Sequence, residues 1–140
     1  MSFNRSELLE QYKKSQIEAN IPAVMFIVSA GGALVLHGIR ESTEDLDIDT
    51  NEKNYLMLVE AGYPIIDDGF PRVHLNKHTD VHMVTIPLIE TMKIDGVWCY
   101  TLEYLQTQYE RLAAHPDRNP EKVERDLDTV VQLKKLILMR

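Results

Sequence analysis

The feature that most constrains the fold of this chain is a glycine pair followed at short distance by two closely spaced carboxylates. Gly31-Gly32 comes shortly after an apolar run at residues 22–28, and the Asp-Leu-Asp sequence at residues 45–47 follows after twelve intervening residues. The apolar run predicts a buried strand, and the missing Cβ atoms of the glycines predict a sharp turn with positive φ after it. The chain must then turn and return as a second strand within this short spacing.

The glycine pair also predicts a site for phosphate. The apolar segment at residues 33–37 is expected to form a short helix directly after it. The first N–H groups of a helix have no partner inside the helix, and they lie at the positive end of its dipole. Gly31 and Gly32 are therefore expected to present backbone N–H groups to an anion. A tight turn without a ligand is the alternative interpretation of the same pair.

The paired carboxylates predict a metal site on a strand. Because side chains alternate along a strand, Asp45, Asp47 and Asp49 project from one face. Leu46 and Ile48 then point into a core on the other face. Clustered acids repel one another unless a cation lies between them, and magnesium or manganese is the cation that suits oxygen-only ligands. The alternative is a solvated face of an edge strand.

A later strand is expected to add a third acid. Residues 79–86 alternate so that Asp80 and His82 share one face. A position beside the strand of Asp45 and Asp47 would bring Asp80 to the same site. His82 either lines that site or is an ordinary polar residue of the strand.

Two helices are predicted on either side of this central stretch. Residues 6–19 carry apolar side chains at helical spacing, with Ser6 as the expected N-cap. Asp49 and Glu52 stand three residues apart, as in a capping box, and predict the start of a helix that ends at Gly62. The short strands predicted next are residues 63–66 and 72–75.

The combined pattern resembles the nucleotidyltransferase superfamily related to DNA polymerase β. In that superfamily a pair of small residues precedes an Asp-apolar-Asp-apolar strand at a similar spacing. Arg40, Ser42 and Thr43, which stand just before the acids, resemble in particular the minimal nucleotidyltransferases and the abortive-infection toxin branch. The composite match is more specific than any of its parts.

The resemblance implies an α/β (α+β) fold in which a small mixed β-sheet is flanked by helices and followed by a short helical C-terminal tail. It also implies a metal-dependent enzyme that transfers a nucleoside monophosphate from a nucleoside triphosphate to an acceptor hydroxyl. The residues that it implies for catalysis and for binding Mg²⁺ or Mn²⁺ are Asp45, Asp47 and Asp80. The residues that it implies for nucleotide binding are Gly31, Gly32, Arg40 and Thr43.

Arg40 has a second interpretation. A guanidinium close to several carboxylates pairs with them as readily as with a phosphate. Arg40 is therefore expected either to contact the triphosphate or to balance the acids of the metal-free protein.

Length and composition indicate how many domains the chain forms and which environment and partners suit it. The chain has 140 residues, of which 44% are hydrophobic and 26% charged, enough for one domain with a real core. We expect a single nucleotidyltransferase-like domain, with the catalytic sheet and its helices in residues 1–100 and a helical tail in residues 101–140. The formal net charge of -7 is unfavourable for a long polyanion as an obligatory partner. No long apolar run or signal pattern is present, so a cytoplasmic protein without membrane contact is expected.

Apolar spacing predicts two helices in the tail. The first covers residues 101–114, and the second begins with Asn119 as its N-cap and Pro120 in its first turn. The apolar residues expected to pack from the second helix are Val123, Leu127, Val130, Val131 and Leu136.

The tail also introduces a second functional hypothesis. In the family that the chain resembles, a lysine on the first tail helix commonly faces the nucleotide. Gln108 and Tyr109 occupy that region here, and Lys122 and Arg125 are the candidates to replace the lysine. The alternative function is a catalytically inactive protein of the same fold that binds a nucleotide or a partner protein.

The acceptor is left open by the sequence. The resemblance implies a protein side chain, a transfer-RNA end or a small hydroxylated molecule, and no residue distinguishes among them. The short chain also leaves open a homodimer or a partner subunit that supplies part of the cleft.

Overall fold

The computed structural model describes residues 2–140 and shows a mixed β-sheet flanked by helices, which confirms the expected fold class. Between residues 2 and 140, no helix has the length and apolar composition needed to cross a bilayer. The helices are α1 (Arg5–Ala19), α2 (Ala30–Leu36), α3 (Glu52–Glu60), α4 (Leu102–Ala114) and α5 (Pro120–Met139). The strands are β1 (Phe3–Asn4), β2 (Ile27–Ser29), β3 (Ser42–Thr43), β4 (Leu46–Thr50), β5 (Ile65–Ile66), β6 (Arg72–Asn76), β7 (Thr79–Met83), β8 (Thr91–Ile94) and β9 (Val97–Tyr100).

The main sheet places the two acid-bearing strands side by side. Its strand order is β5-β6-β7-β4-β2-β9-β8, while β1 and β3 form a separate small sheet. β4 is antiparallel to β2 and parallel to β7. The strand that carries Asp47 therefore lies in the middle of the sheet, and the strand that carries Asp80 is its direct neighbour. This is the adjacency that the prediction of a third acid required.

The strands alternate as their sequence predicts. Leu46 and Ile48 of β4 have no exposed surface, and Val81 of β7 is equally buried. Apolar side chains therefore anchor both strands on one face of the sheet, and carboxylates project from the other face. Asp45 lies just before β4 and is exposed.

The glycine pair lies inside a helix and not in a turn. The positive φ, 51°, belongs to Ala30, the first residue of α2, so the prediction that the glycines adopt positive φ was wrong. The glycines are required for close packing instead. A Cβ on Gly31 would lie 2.6 Å from Oγ1 of Thr43, and a Cβ on Gly32 would lie 2.9 Å from Cγ1 of Val28. The turn occurs one residue earlier because the helix must start directly at the end of β2.

Gly31→Ala is expected to destabilise the protein by about 1–2 kcal/mol, because the added methyl group overpacks the contact with Thr43. Alanine is intrinsically the better helix residue, by roughly 0.5–1 kcal/mol, so any net loss reports the steric contact. Urea unfolding of the variant measures the effect. The same substitution in a Thr43→Ala background should cost less, since the Oγ1 atom is then absent. A Gly31→Ala variant as stable as the parent would contradict this account.

Both early helices are capped by asparagine. Asn4, and not Ser6, is the N-cap of α1, where it forms a capping box with Glu7. Asn51 caps α3 through its side chain, so the capping box predicted at Asp49 was wrong. Asp49 is unavailable because it belongs to β4, where its carboxylate is bonded elsewhere. The predicted end of α3 at Gly62 agrees with the structure, in which that glycine has a φ of 95°.

A hairpin that the sequence analysis missed forms one edge of the sheet. β8 and β9 are antiparallel and joined by Asp95-Gly96, both of which have positive φ. Asp-Gly is a favoured pair for such two-residue turns, so the signal was present in the sequence. The hairpin matters for the site because β9 ends with Tyr100, a fully buried residue that reaches the acids.

The two tail helices begin at the residues predicted for them, but the buried face of α5 differs in part from the predicted one. Thr101 caps α4, and Asn119 caps α5 with a proline in its first turn. Val130 is buried as expected, whereas Leu127, Val131 and Leu136, which were also expected to pack, are 53%, 50% and 37% exposed. The residues of α5 that are buried are Asp126, Thr129, Val130 and Leu133. The helix is rotated toward its polar side because Asp126 pairs with an arginine from the preceding loop.

Candidate active-site cleft

The polar face of β4 and β7 borders a cleft of about 990 Å³. The predicted site residues that line it are Asp45, Asp47, Asp80, Gly31, Arg40 and Thr43. Gly32 is the exception, because it lies against Val28 and Leu8 in the interior. The opposite wall comes from α4, α5 and the loop between them. The sequence thus placed most of its candidate residues on one continuous surface.

Asp47 and Asp80 occupy matching positions on neighbouring parallel strands. Asp47 pairs in register with Asp80 on β7 and with Ser29 on β2. Side chains at matching positions of adjacent strands project from the same face, so the two carboxylates border the same part of the cleft. Asp45 precedes the strand and also lines the cleft.

The surroundings of the Asp47 carboxylate change its pKa. Burial raises its pKa from 3.8 to about 6; the nearby His82 opposes that rise in pKa, while Asp80, Asp45 and Asp49 add to it. A buried carboxylate among other acids is unfavourable for folding, and a bound cation is the usual compensation. Perturbation of this kind in a cleft is characteristic of functional sites.

Asp47→Asn is expected to stabilise the protein in a pH-dependent way. The pKa of Asp47 is higher in the folded than in the unfolded protein, so the folded state binds the extra proton, and stability falls as pH rises through the window from 3.8 to about 6. The amide removes this penalty. The variant's excess free energy of unfolding should therefore grow from less than about 1 kcal/mol at pH about 4 to about 3 kcal/mol at pH about 7.

Urea unfolding of Asp47→Asn and the parent at several pH values measures that difference. All other titrating groups are common to both proteins, so their contributions largely cancel. A difference in stability that stays constant across this pH range would contradict the raised pKa.

The Asp80 carboxylate is held by two side chains of β6. Arg72 Nε donates to Oδ2 at 3.1 Å, and His74 Nδ1 donates to Oδ1 at 2.8 Å. Both carboxylate oxygens are thus engaged. Within residues 2–140, no group of three or more His, Cys, Asp or Glu side chains is arranged to hold a metal ion. These partners could not be predicted from the sequence, since they depend on the pairing of β6 with β7.

The Asp49 carboxylate is hydrogen-bonded to the last residue of β9. It is 4% exposed, and Tyr100 Oη donates to its Oδ2 at 2.6 Å. Burial raises the pKa of Asp49, and the hydrogen bond from Tyr100 opposes the rise. Tyr104 packs against Tyr100 with ring centroids 4.5 Å apart, and also lines the cleft. This aromatic pair forms the wall of the cleft at the end where Asp49 lies.

Two polar atoms at this end lack hydrogen-bond partners among the described residues. They are Nδ1 of His82 and Oε1 of Gln108, both buried. His82 lies opposite Asp49 on β7, and Gln108 lies one turn after Tyr104 on α4. Both residues line the cleft. Buried polar atoms are normally bonded, so these two are the ones that a ligand or water would satisfy.

Near the glycine pair, the cleft is lined by the first residues of α2 and by polar side chains. Gly31 lines the cleft at the beginning of α2. Thr43 Oγ1 donates to the carbonyl of Asp45 at 3.2 Å. Arg40 Nη2 donates to Thr129 Oγ1 at 3.3 Å, and within residues 2–140 Arg40 forms no ion pair. Its interpretation as a partner of the acids is therefore not the one that this structure shows.

The tail supplies a basic wall, formed by Arg111, Lys122 and Arg125, which all line the cleft. Within the described part of the chain none of the three has a carboxylate at ion-pair distance. Arg118, beside them, is paired with Asp126 through two hydrogen bonds of 2.8 and 2.9 Å. In a chain of net charge -7, uncompensated cations facing a group of acids mark a site for a negatively charged ligand.

Two loops from opposite sides meet at the cleft. The ring of Phe70, in the loop before β6, lies 4.4 Å from that of His115 at the end of α4. Gly69, with a φ of 99°, approaches Asp117 so closely that a Cβ would lie 2.6 Å from the Asp117 Cβ. The sheet and the tail are therefore connected at this point, and any side chain at position 69 would push the loops apart.

Comparisons with known proteins support this architecture at the level of the fold. No family model matches the chain, and no curated protein gives a sequence match. Among solved structures, the Megavirus polyadenylate synthase matches 93% of this chain with a TM-score of 0.51 and 15% sequence identity. The chain spans 32% of the length of that enzyme. At this identity the likeness shows that the two proteins share a fold, which agrees with the mixed sheet flanked by helices that the sequence predicts.

Proposed function

We propose that this chain is a metal-dependent nucleotidyltransferase, acting as a single domain that transfers a nucleoside monophosphate from a nucleoside triphosphate to an acceptor hydroxyl. The observation that carries the proposal is the position of Asp47 beside Asp80 on adjacent strands, in a cleft whose other side is the basic wall. Acids that hold metal and cations that hold phosphate are the two halves of a triphosphate site. The fold shared with a polyadenylate synthase supports the same conclusion.

The donor set suits a hard divalent cation. Asp45, Asp47 and Asp80 offer only oxygen atoms, the ligands preferred by Mg²⁺ and Mn²⁺. Burial is the main cause of the raised pKa of Asp47, and the neighbouring Asp80, Asp45 and Asp49 add to it, so a bound cation would stabilise the charged form of this carboxylate. A bound divalent cation would neutralise charge on the triphosphate and on the leaving pyrophosphate.

The remaining residues of the cleft bind and orient the substrate. Gly31 lines the cleft at the start of α2, where its backbone N–H group, with Thr43, would hold phosphate oxygens. Arg40 has a side chain that is free of carboxylates within residues 2–140, so it is available to the same phosphates. Asp80 would accept the proton of the attacking hydroxyl once its carboxylate is released from its partners. Holding both reactants in line lowers the entropic part of the barrier.

Lys122→Ala is expected to weaken triphosphate binding by about three- to tenfold, the usual scale for one partly exposed charge contact. Lys122 belongs to the basic wall and, with Arg125, is one of the two candidates to replace the lysine that the family commonly has on the first tail helix. Calorimetric titration with a magnesium–triphosphate complex measures the change. Lys134→Ala, on the exposed part of α5 outside the cleft, is the matched control and should bind like the parent. Equal affinities for both variants would remove Lys122 from the site.

Transfer itself is tested with triphosphates labelled at the α-phosphate. The protein is incubated with each labelled nucleotide, magnesium and one of three acceptor classes: protein, transfer RNA or an aminoglycoside. Magnesium-dependent label on one class, with equimolar pyrophosphate, is the expected result and identifies the acceptor. Triphosphate that binds but releases no pyrophosphate with any of the three acceptor classes would count against catalysis.

The alternative is a catalytically inactive protein of this fold that binds a nucleotide or a partner protein. The observation in its favour is that both oxygens of Asp80 are engaged by Arg72 and His74. Gln108 and Tyr109, at the position where a lysine is common, also favour it. Magnesium-independent binding of triphosphate without turnover would support this alternative.

A further inference from the structure

Arg72 connects the third acid to a loop at the mouth of the cleft. Its Nε donates to Asp80, while its Nη1 donates to Asp68 Oδ1 at 2.8 Å and to the carbonyl of Phe70 at 2.9 Å. The side chains of Arg72 and Asp80 are each 19% exposed, so their contact is largely shielded from water. Arg72 lies on β6 and enters the site only because β6 pairs with β7.

We propose that Arg72 is a resident counter-cation of Asp80, which a divalent metal ion must displace before Asp80 can serve as a ligand. The proposal rests on the proposed function, since it assumes that Asp80 is a metal ligand. Asp45 and Asp47 have no such cation in residues 2–140. Of the three acids, only Asp80 is therefore already paired with a cation before a metal ion binds.

The energetic reason is competition for one carboxylate. A guanidinium hydrogen-bonded to a half-buried carboxylate is a charge-assisted contact, stronger than an exposed ion pair. A metal ion that takes Asp80 must first break that contact, and its apparent affinity falls by the corresponding factor. In the metal-free protein, the same contact offsets the repulsion between Asp80 and the neighbouring Asp47.

The other contacts of Arg72 determine where its side chain stays. Asp68 and the Phe70 carbonyl hold Nη1 independently of Asp80, and both belong to the loop that meets His115. Arg72 released from Asp80 therefore remains at the cleft, where a triphosphate offers its charge a new partner. Metal and triphosphate together should bind more favourably than metal alone, because the nucleotide compensates Arg72 for the lost carboxylate.

The test is the affinity for Mn²⁺ without nucleotide, measured by electron paramagnetic resonance of the free ion. Arg72→Gln removes the competing charge and should bind Mn²⁺ about three- to tenfold more tightly than the parent, the scale of one partly buried ion pair. Arg111→Gln removes a cation of the same cleft that does not contact the acids, and it should change the affinity much less. Arg72→Gln in an Asp80→Asn background should produce no gain over Asp80→Asn alone.

Each outcome separates this inference from the proposed function. Parent-like or weaker Mn²⁺ binding by Arg72→Gln, while the parent binds, would overturn the role of Arg72 and leave the metal site standing. An equal gain in Arg111→Gln would also overturn it, since the effect would then be general electrostatics. Absence of Mn²⁺ binding in every protein, with and without triphosphate, would reject the proposed function itself. Circular dichroism checks the fold, and Arg72→Lys serves as the second variant, with a smaller expected gain.

Discussion

Asp47→Asn is expected to abolish nucleotidyl transfer while leaving the protein folded. Asp47 lies at the centre of the acid group, in register with Asp80 and near Asp45. An amide of the same shape cannot supply the negative charge that a divalent cation requires. Transfer should fall by more than about a hundredfold, because loss of even an outer partner of a metal ligand costs roughly ten- to a hundredfold.

Pyrophosphate release under saturating triphosphate measures this effect. Asp128→Asn, at an exposed position of α5 that does not line the cleft, removes a charge of the same kind and should retain the parent's rate. The free energy of unfolding of Asp47→Asn should be unchanged or higher, since a buried charge is lost. A well-folded Asp47→Asn variant with the parent's rate of transfer would exclude Asp47 from catalysis.

Arg118→Ala is expected to cause the largest loss of stability, about 3–5 kcal/mol, the usual cost of leaving a buried charge without its partner. The Asp126 side chain is 1% exposed and accepts two hydrogen bonds from the Arg118 guanidinium. The pair joins the loop after α4 to the inward face of α5. Its loss should also disturb the position of Lys122, which lies one turn before Asp126.

A double variant separates the cost of leaving the Asp126 charge unpaired from the cost of losing the side-chain packing. Arg118→Met with Asp126→Leu replaces the pair by apolar side chains, and it should recover most of the stability lost in Arg118→Ala. Arg111→Ala, which removes an exposed arginine of α4, should cost less than about 0.5 kcal/mol. Urea unfolding measures all three. A loss below about 1 kcal/mol for Arg118→Ala would show that Asp126 is satisfied by other groups.

The acid group was predictable because strand periodicity is a local property. The alternation around Asp47 and around Asp80 fixed which side chains face the cleft, and a plausible strand neighbour followed from the resemblance. The positions of both carboxylates relative to the sheet agree with that expectation. Their partners were not predictable in the same way, since Arg72 reaches Asp80 only through the pairing of β6 with β7.

The glycine pair shows a different limit. A glycine in the sequence is expected both where the backbone adopts a positive φ and where another part of the chain packs too closely for a Cβ atom. The sequence alone does not distinguish these two cases. The structure places the positive φ at Ala30 and uses Gly31 for contact with Thr43. The close packing of β3 against α2 is what requires glycine here, and this contact is between segments that are distant in the sequence.

Three of the five apolar residues expected to pack from α5 are exposed for a similar reason. Counting apolar residues favoured Leu127 and Val131, but the pair between Arg118 and Asp126 turns the polar side inward. A buried ion pair leaves no periodic signal, because charged residues are expected on the solvent face. The Asp95-Gly96 turn, by contrast, carried a usable signal for the hairpin that ends at Tyr100.

The central claim is a metal-dependent triphosphate site built on Asp45 and Asp47. Calorimetric titration of the protein with ATP, GTP, CTP and UTP, each with and without magnesium, tests it most directly when repeated on the Asp45→Ala/Asp47→Ala variant. The account predicts that at least one triphosphate binds, that binding requires magnesium, and that the double variant loses it while remaining folded. Failure of all four triphosphates to bind, or equal binding by the parent and the double variant, would contradict it.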